Sequence, residues 1–101
     1  MLNRIFAFGL VGLLTSSFAV ESGQCERPEE ISFNFRDLEI KMAFAILADF
    51  AKYRLVIEPS ISGSEAMTFV CRRWDVVARE LAARHNLRVE IRDGAMYVSK
   101  Q

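Results

Sequence analysis

The side chains in this sequence that could do chemistry are few, and their spacing limits what they can do. His85 is the single histidine. A role as general base or metal ligand calls for a second nitrogen or a thiolate at ligand spacing, and no Cys or other His stands near it in the sequence. Its place in the last turn of an amphipathic segment fits a helix C-terminal residue favoured by the helix dipole. Ser60, Ser62 and Ser64 sit in turn sequence, where hydroxyls satisfy local backbone donors. No nucleophile elbow or phosphate-cradling glycine pattern surrounds them. Glu29-Glu30 and Arg72-Arg73 read as solvated charge pairs. Trp74-Asp75 has the look of a binding aromatic beside an acid, but an acid in a first helical turn is stabilised there and a Trp at that point packs the helix start on a sheet. The expectation is a non-enzyme with no cofactor, no metal site and no small-molecule substrate.

Cys25 and Cys71 carry the remaining chemistry, and it depends on compartment. Arg4 precedes an apolar run from Ile5 to Leu14, followed by Thr15-Ser16-Ser17-Phe18-Ala19. This is the layout of a secretory signal peptide with small residues at the −3 (Ser17) and −1 (Ala19) positions, and it places cleavage after Ala19. The alternative, an uncleaved anchor, is short of the roughly 20 apolar residues that span a bilayer. Cys25 follows Ser22-Gly23-Gln24 well past the apolar core, so the chain does not fit a lipoprotein pattern. Two cysteines exported into an oxidising compartment are the smallest number that closes a bridge. A Cys25–Cys71 disulfide is one reading; a buried free Cys71 and an intermolecular bond through Cys25 are the others.

Those residues must be positioned by one small domain. Residues 20–101 hold 12 Lys and Arg against 13 Asp and Glu, so a concentrated basic surface for nucleic acid is absent. The charge is uneven: nine acids and five bases over 20–65, four acids and seven bases over 66–101. Residues 20–30 read as a polar leader. Ile31 to Phe35 alternate as a half-buried strand, and Asp37 is the candidate N-cap of a helix from Leu38 to Lys52, with Ile40, Ala43, Phe44, Leu47 and Ala48 on one stripe. Leu55-Val56-Ile57 is an apolar strand stopped by Pro59, and Gly63 gives backbone freedom to the turn that starts a hairpin. Met67, Phe69 and Cys71 share one face of the next strand. A helix from Trp74 to His85 ends at Asn86, an acceptable left-handed residue. Leu87, Val89 and Ile91 then alternate up to Asp93-Gly94, the strongest hairpin signal in the chain. The order β-α-β-β-α-β-β predicts a compact α+β domain, two helices on small mixed sheets. Its expected core is Phe33, Phe35, Ile40, Phe44, Leu47, Val56, Met67, Phe69, Leu81, Val89 and Ile91.

As an ordered set, ISFNFRDLEI, AFAILADF, LVIEPSISG and MTFVCRRWDVVARELAARHNL resemble the secretin and TonB short N-terminal domain, also called the N-zero domain, over residues 31–101. The departures are Arg54 for a frequent Asn, Lys52 and Asn86 where Gly is common, and Arg73 for the Pro before Trp74. The resemblance is closest to the version found in secretins of type IV pilus and type II secretion machines. It implies a periplasmic protein-protein interaction module, outer-membrane associated through secretin or other pilus and secretion components, with self-association as a further expectation. The other function it implies is a detached signalling domain, like that of TonB-dependent receptors, binding a periplasmic regulator such as an anti-sigma factor. Ending at Gln101, the chain is not expected to be the channel itself.

Overall fold

The computed structural model describes residues 25–101; the expected signal segment 1–19 and the start of the leader lie outside them. In chain order the elements are β1 (Glu30–Glu39), α1 (Ile40–Ala51), β2 (Arg54–Ile57), β3 (Ser64–Arg73), α2 (Trp74–Arg84), β4 (Leu87–Arg92) and β5 (Ala95–Lys100). This is the expected α+β order. β1 and β3 form an antiparallel pair. β2, β5 and β4 form a second sheet, in that order, with β2 parallel and β4 antiparallel to β5. Each helix touches both sheets, α1 through β1 and β2 and α2 through β3 and β4. One core cluster joins them, with Ile31, Phe44, Leu47, Val77, Leu81 and Met96 shielded from solvent.

Several local expectations are corrected. β2 and β3 do not form a hairpin, because Glu58–Gly63 carries the chain from one sheet to the other. Ile61 is buried beneath that link, and the Glu58 N–H donates to the Val98 carbonyl at 3.0 Å. Pro59 and Gly63 thus mark a turn between sheets. Gly63 holds φ +108, and its carbonyl accepts the Ile40 N–H at 2.9 Å, seating the first residue of α1. Asp37 is no N-cap. Between the pairs Phe35–Met67 and Leu38–Glu65, Arg36 and Asp37 face Ala66 alone, a bulge that shifts the inward phase so that Leu38 is buried. The helix starts later, with Glu39 extended at the cap and making no side-chain cap bond.

Val56 is 43% exposed and lies outside the core. In a parallel partner of β5 only alternate residues face the helices, and here these are Leu55 and Ile57. Phe35, Val89 and Ile91 are partly buried against the core, while Phe33, Ile40, Phe44, Leu47, Met67, Phe69 and Leu81 lie within it.

Helix and hairpin ends use left-handed residues. Asp93 (φ 54) and Gly94 (φ 72) form the two-residue β4–β5 turn, both positive as a type I′ turn requires. Asn86 at φ 56 follows α2. At the end of α1, the Lys52 and Tyr53 N–H groups donate to the Asp49 and Ala48 carbonyls at 3.1 and 2.8 Å, the paired bonds of a Schellman cap. The left-handed residue in that cap is Lys52, at φ 62. A Cβ there costs about 1–2 kcal/mol, offset in part by the looser unfolded chain that glycine brings. Lys52→Gly is therefore expected to stabilise the domain by about 0.5–1 kcal/mol, read as a higher urea midpoint at unchanged m-value. An unchanged or lower midpoint would mean that the Lys52 side chain contributes more than its backbone strain costs.

Candidate functional site

Among the described residues the reactive side chains do not assemble into a catalytic set. His85 and the serines Ser60 and Ser62 line one open cleft of about 330 Å³. The Ser60 hydroxyl is turned away to donate to Glu58 Oε2 at 3.0 Å. His85 Nε2 lies 3.4 Å from Glu65 Oε1, and among the described residues no serine hydroxyl is hydrogen-bonded to the ring. A nucleophile needs a base within hydrogen-bond reach that is itself oriented by a third group; the base that Ser60 reaches is the Glu58 carboxylate, whose lowered pKa makes it a poor proton acceptor. Ser62 and Ser64 are exposed beside the turn at Gly63.

Cys25 and Cys71 are joined in a disulfide, with Cα atoms 5.4 Å apart. The side of the sheet differs from expectation: Cys71 does not share the inward face of Met67 and Phe69. Between the pairs Ile31–Arg72 and Phe33–Phe69, the single Ser32 faces both Val70 and Cys71, and Cys71 takes φ 47. This second bulge turns the cysteine to the side of Ser32, whose flanking residues Ile31 and Phe33 are buried. The Ser32 hydroxyl accepts the Cys71 N–H at 2.8 Å and lies 3.4 and 3.5 Å from the Cys25 and Cys71 sulfurs. Ligand atoms of Cys25, Glu30 and Cys71 fall within 4.8 Å of one another. With both sulfurs spent on the disulfide, no thiolate is left to bind a metal there. The bridge ties residues 25–29 over the start of α2, where the Trp74 N–H donates to the Glu29 carbonyl at 3.1 Å. Trp74 meets Tyr53, at the junction of α1 and β2, with ring centroids 5.2 Å apart.

Ion pairs gather on α2 and β3. Arg72 bonds Glu80 at 2.6 Å, and Arg84 bonds Glu80 at 2.9 Å and Glu65 at 2.8 Å. Arg73 forks onto Asp75 with bonds of 3.1 and 3.0 Å, so the residue before Trp74 pairs with the acid of the first turn. Those bonds hold Asp75 below the usual carboxylate range, and the Arg72 bond does the same for Glu80. Glu58 is lowered chiefly by the Lys100 N–H, which donates to it at 2.9 Å. A carboxyl with a depressed folded pKa contributes stability above its unfolded value and loses it as pH falls through the folded one. The urea midpoint is therefore expected to hold from pH 7 to about pH 5 and to decline below about pH 4. Arg73→Ala should move the Asp75 carboxyl titration, followed by carbon NMR, upward. An unmoved Asp75 titration would discard the fork as its cause.

The outer face of the three-stranded sheet is laid out in rows across β2, β5 and β4. The first is Arg54–Ala95–Arg92, the second Val56–Tyr97–Glu90, and the third ends in Ser99–Arg88. Ala95 is fully buried between its two arginine neighbours. The Arg92 guanidinium lies 4.4 Å over the Tyr97 ring centre and pairs with Glu90 at 3.3 Å and Asp93 at 3.5 Å. Among the described residues Arg54 and Arg88 form no ion pair.

The residues singled out in the sequence are thus scattered. Pro59 and Gly63 lie between the sheets, Trp74 and Asp75 at the start of α2, Asp93 and Gly94 at the far hairpin, and Cys25 and Cys71 on the outer side of β1–β3. Sequence reading missed Ser32, Glu65 and the Arg54–Tyr97–Arg88 face. The sequence signals only one edge of that face: Arg88, Glu90 and Arg92 alternate with the inward apolar residues of β4.

No family model matches the chain, and no curated protein matches it. Among solved structures it is similar to the N0 domain of the type II secretin from enterotoxigenic Escherichia coli, at 13% identity and a TM-score of 0.61, over 69% of this chain and 93% of that one. The fold is the same.

Proposed function

We propose that the chain is a non-catalytic protein-protein interaction module of the periplasm, working beside an outer-membrane secretin complex of a type IV pilus or protein secretion machine. The observation that carries this reading is the shared fold, which takes in nearly the whole of the solved secretin domain. Two further features support it. The reactive side chains are dispersed, and the Cys25–Cys71 bridge is a bond of oxidising compartments. In this reading residues 1–19 are a cleaved export signal, residues 20–30 a leader and residues 31–101 the docking domain, associated with the outer membrane through its partners. Crosslinking in the native cell envelope tests the reading. Secretin-machine proteins are expected among the products, and their absence sinks it. A periplasmic regulator in their place would favour the signalling role instead.

A further inference from the structure

The two sulfurs of the bridge have a carboxylate beside them. Glu30 and Ser32 stand two apart on β1 and so share one side of the strand, the side to which the second bulge turns Cys71. Ligand atoms of Cys25, Glu30 and Cys71 lie within 4.8 Å of one another, and all three residues are half-buried. Among the described residues Glu30 forms no ion pair, since its neighbours Arg72 and Arg73 are committed to Glu80 and Asp75. The strap that carries Cys25 is also held independently of the bridge. The Glu30 N–H donates to the Arg27 carbonyl and the Trp74 N–H to the Glu29 carbonyl, each at 3.1 Å. Opening the bridge therefore leaves Cys25 next to Cys71. Ser32, which accepts the Cys71 N–H, keeps its own proton to donate to the Cys71 sulfur at 3.5 Å. A donor placed in this way orients a sulfur as the outer partners of metal ligands do.

We propose that Cys25, Cys71 and Glu30 form a zinc site in the reduced chain, so that a metal ion and the disulfide are alternative fastenings of the same strap. This goes beyond the interaction-module reading and does not depend on the partner that the module meets. The first step is thiol–disulfide exchange. An external dithiol passes two electrons and two protons to the bridge and leaves as its own disulfide, and the protein is left with two thiols. Zinc then displaces both thiol protons and takes two thiolates and the Glu30 carboxylate, with the fourth tetrahedral position open to water. Two thiolates on one tetrahedral zinc lie about 3.8 Å apart, a separation that side-chain rotation reaches with the Cα atoms at 5.4 Å. The donor set selects the ion. Magnesium and calcium take oxygen ligands, thiolates favour zinc or copper(I), and a carboxylate in the set suits zinc better than copper(I).

The test uses the full chain, reduced and then freed of reductant without air, with Co(II) as the spectroscopic stand-in for zinc. Co(II) is expected to give thiolate-to-cobalt charge-transfer absorption and the visible bands of tetrahedral coordination, and zinc to bleach both. The oxidised chain should give neither. Glu30→Gln should weaken Co(II) binding about tenfold or more, at least the loss that follows removal of an outer partner of a metal ligand. Glu39→Gln, the same charge change at the far end of β1, should leave it unchanged. In urea, zinc should raise the midpoint of the reduced chain and not that of the oxidised one, because only the folded chain holds the three ligands together. Absence of the charge-transfer band, a complex of two chains per metal, or equal affinity in Glu30→Gln overturns the proposal. So does zinc that binds the reduced chain without raising its midpoint, which would place the metal on the unfolded dithiol.

Discussion

Phe44→Ala is expected to remove about 3–5 kcal/mol of unfolding free energy, the range for truncating a buried aromatic. Among the described residues Phe44 is the largest side chain wholly shielded from solvent, and it lies on the stripe of α1 that faces the core both sheets share. A single core of this size rarely supplies more than about 3–5 kcal/mol by itself, so the variant should be left with little beyond what the disulfide contributes, unfolding at low urea when oxidised and being largely unfolded at 25 °C once the bridge is reduced. Val56→Ala is the matched contrast. It removes apolar atoms from a strand of the same domain, but from the outer face, and should shift stability by no more than about 0.5 kcal/mol. Urea unfolding followed by circular dichroism separates the two. A folded Phe44→Ala with a small midpoint shift, or a Val56→Ala that costs as much as a core truncation, would refute this division between inside and outside.

Breaking the Cys25–Cys71 bridge should have an effect of similar size. The two residues are 46 apart in sequence, and closing a loop of that order stabilises by about 2–4 kcal/mol, mostly by restricting the unfolded chain. At a urea m-value of about 1 kcal/mol/M, the Cys25→Ser/Cys71→Ser double variant should lose about 2 M or more in midpoint. Either single variant should match the double, because each removes the same bond. The unreduced protein should show no titratable thiol and run as a monomer on a non-reducing gel, with two thiols released by reductant. Two reactive thiols before reduction, or a disulfide-linked dimer, would contradict the intrachain bond.

Reading these elements from sequence worked where one local rule governs the outcome. Alternation located β1, β3 and β4, the 3.6-residue stripe located both helices, and Asp93-Gly94 located the hairpin because a two-residue type I′ turn demands positive φ at both positions. It went astray where the outcome depends on which strands become partners. Pro59 and Gly63 announce a turn, but no local signal tells whether the arms on either side join one sheet or two. Each bulge places two residues opposite one, and the count exists only once β1 and β3 are paired. That is why Asp37 read as a cap and Cys71 as an inward residue. Val56 read as core because Leu55-Val56-Ile57 is apolar throughout, and only pairing with β5 reveals which of the three face out. The same blindness hid the Arg54–Tyr97–Arg88 face, whose members come from three strands separated by a helix and a change of sheet.

The position of β5 has a consequence for the order of events in making the protein. It follows β2 and β4 in sequence yet is the middle strand of their sheet, so β2 and β4 have no common neighbour until residues 95–100 exist. A nascent chain ending at Gly94 would expose the apolar sides of both strands and lack Met96 and Val98, two of the most deeply buried side chains. Domains generally fold as units, and this one is expected to close its core only once residues 95–100 have been made. A polypeptide truncated after Gly94 should accordingly show no cooperative unfolding transition. Until residues 95–100 are in place the chain is without its closed core, the state in which a polypeptide can still be threaded through a narrow pore.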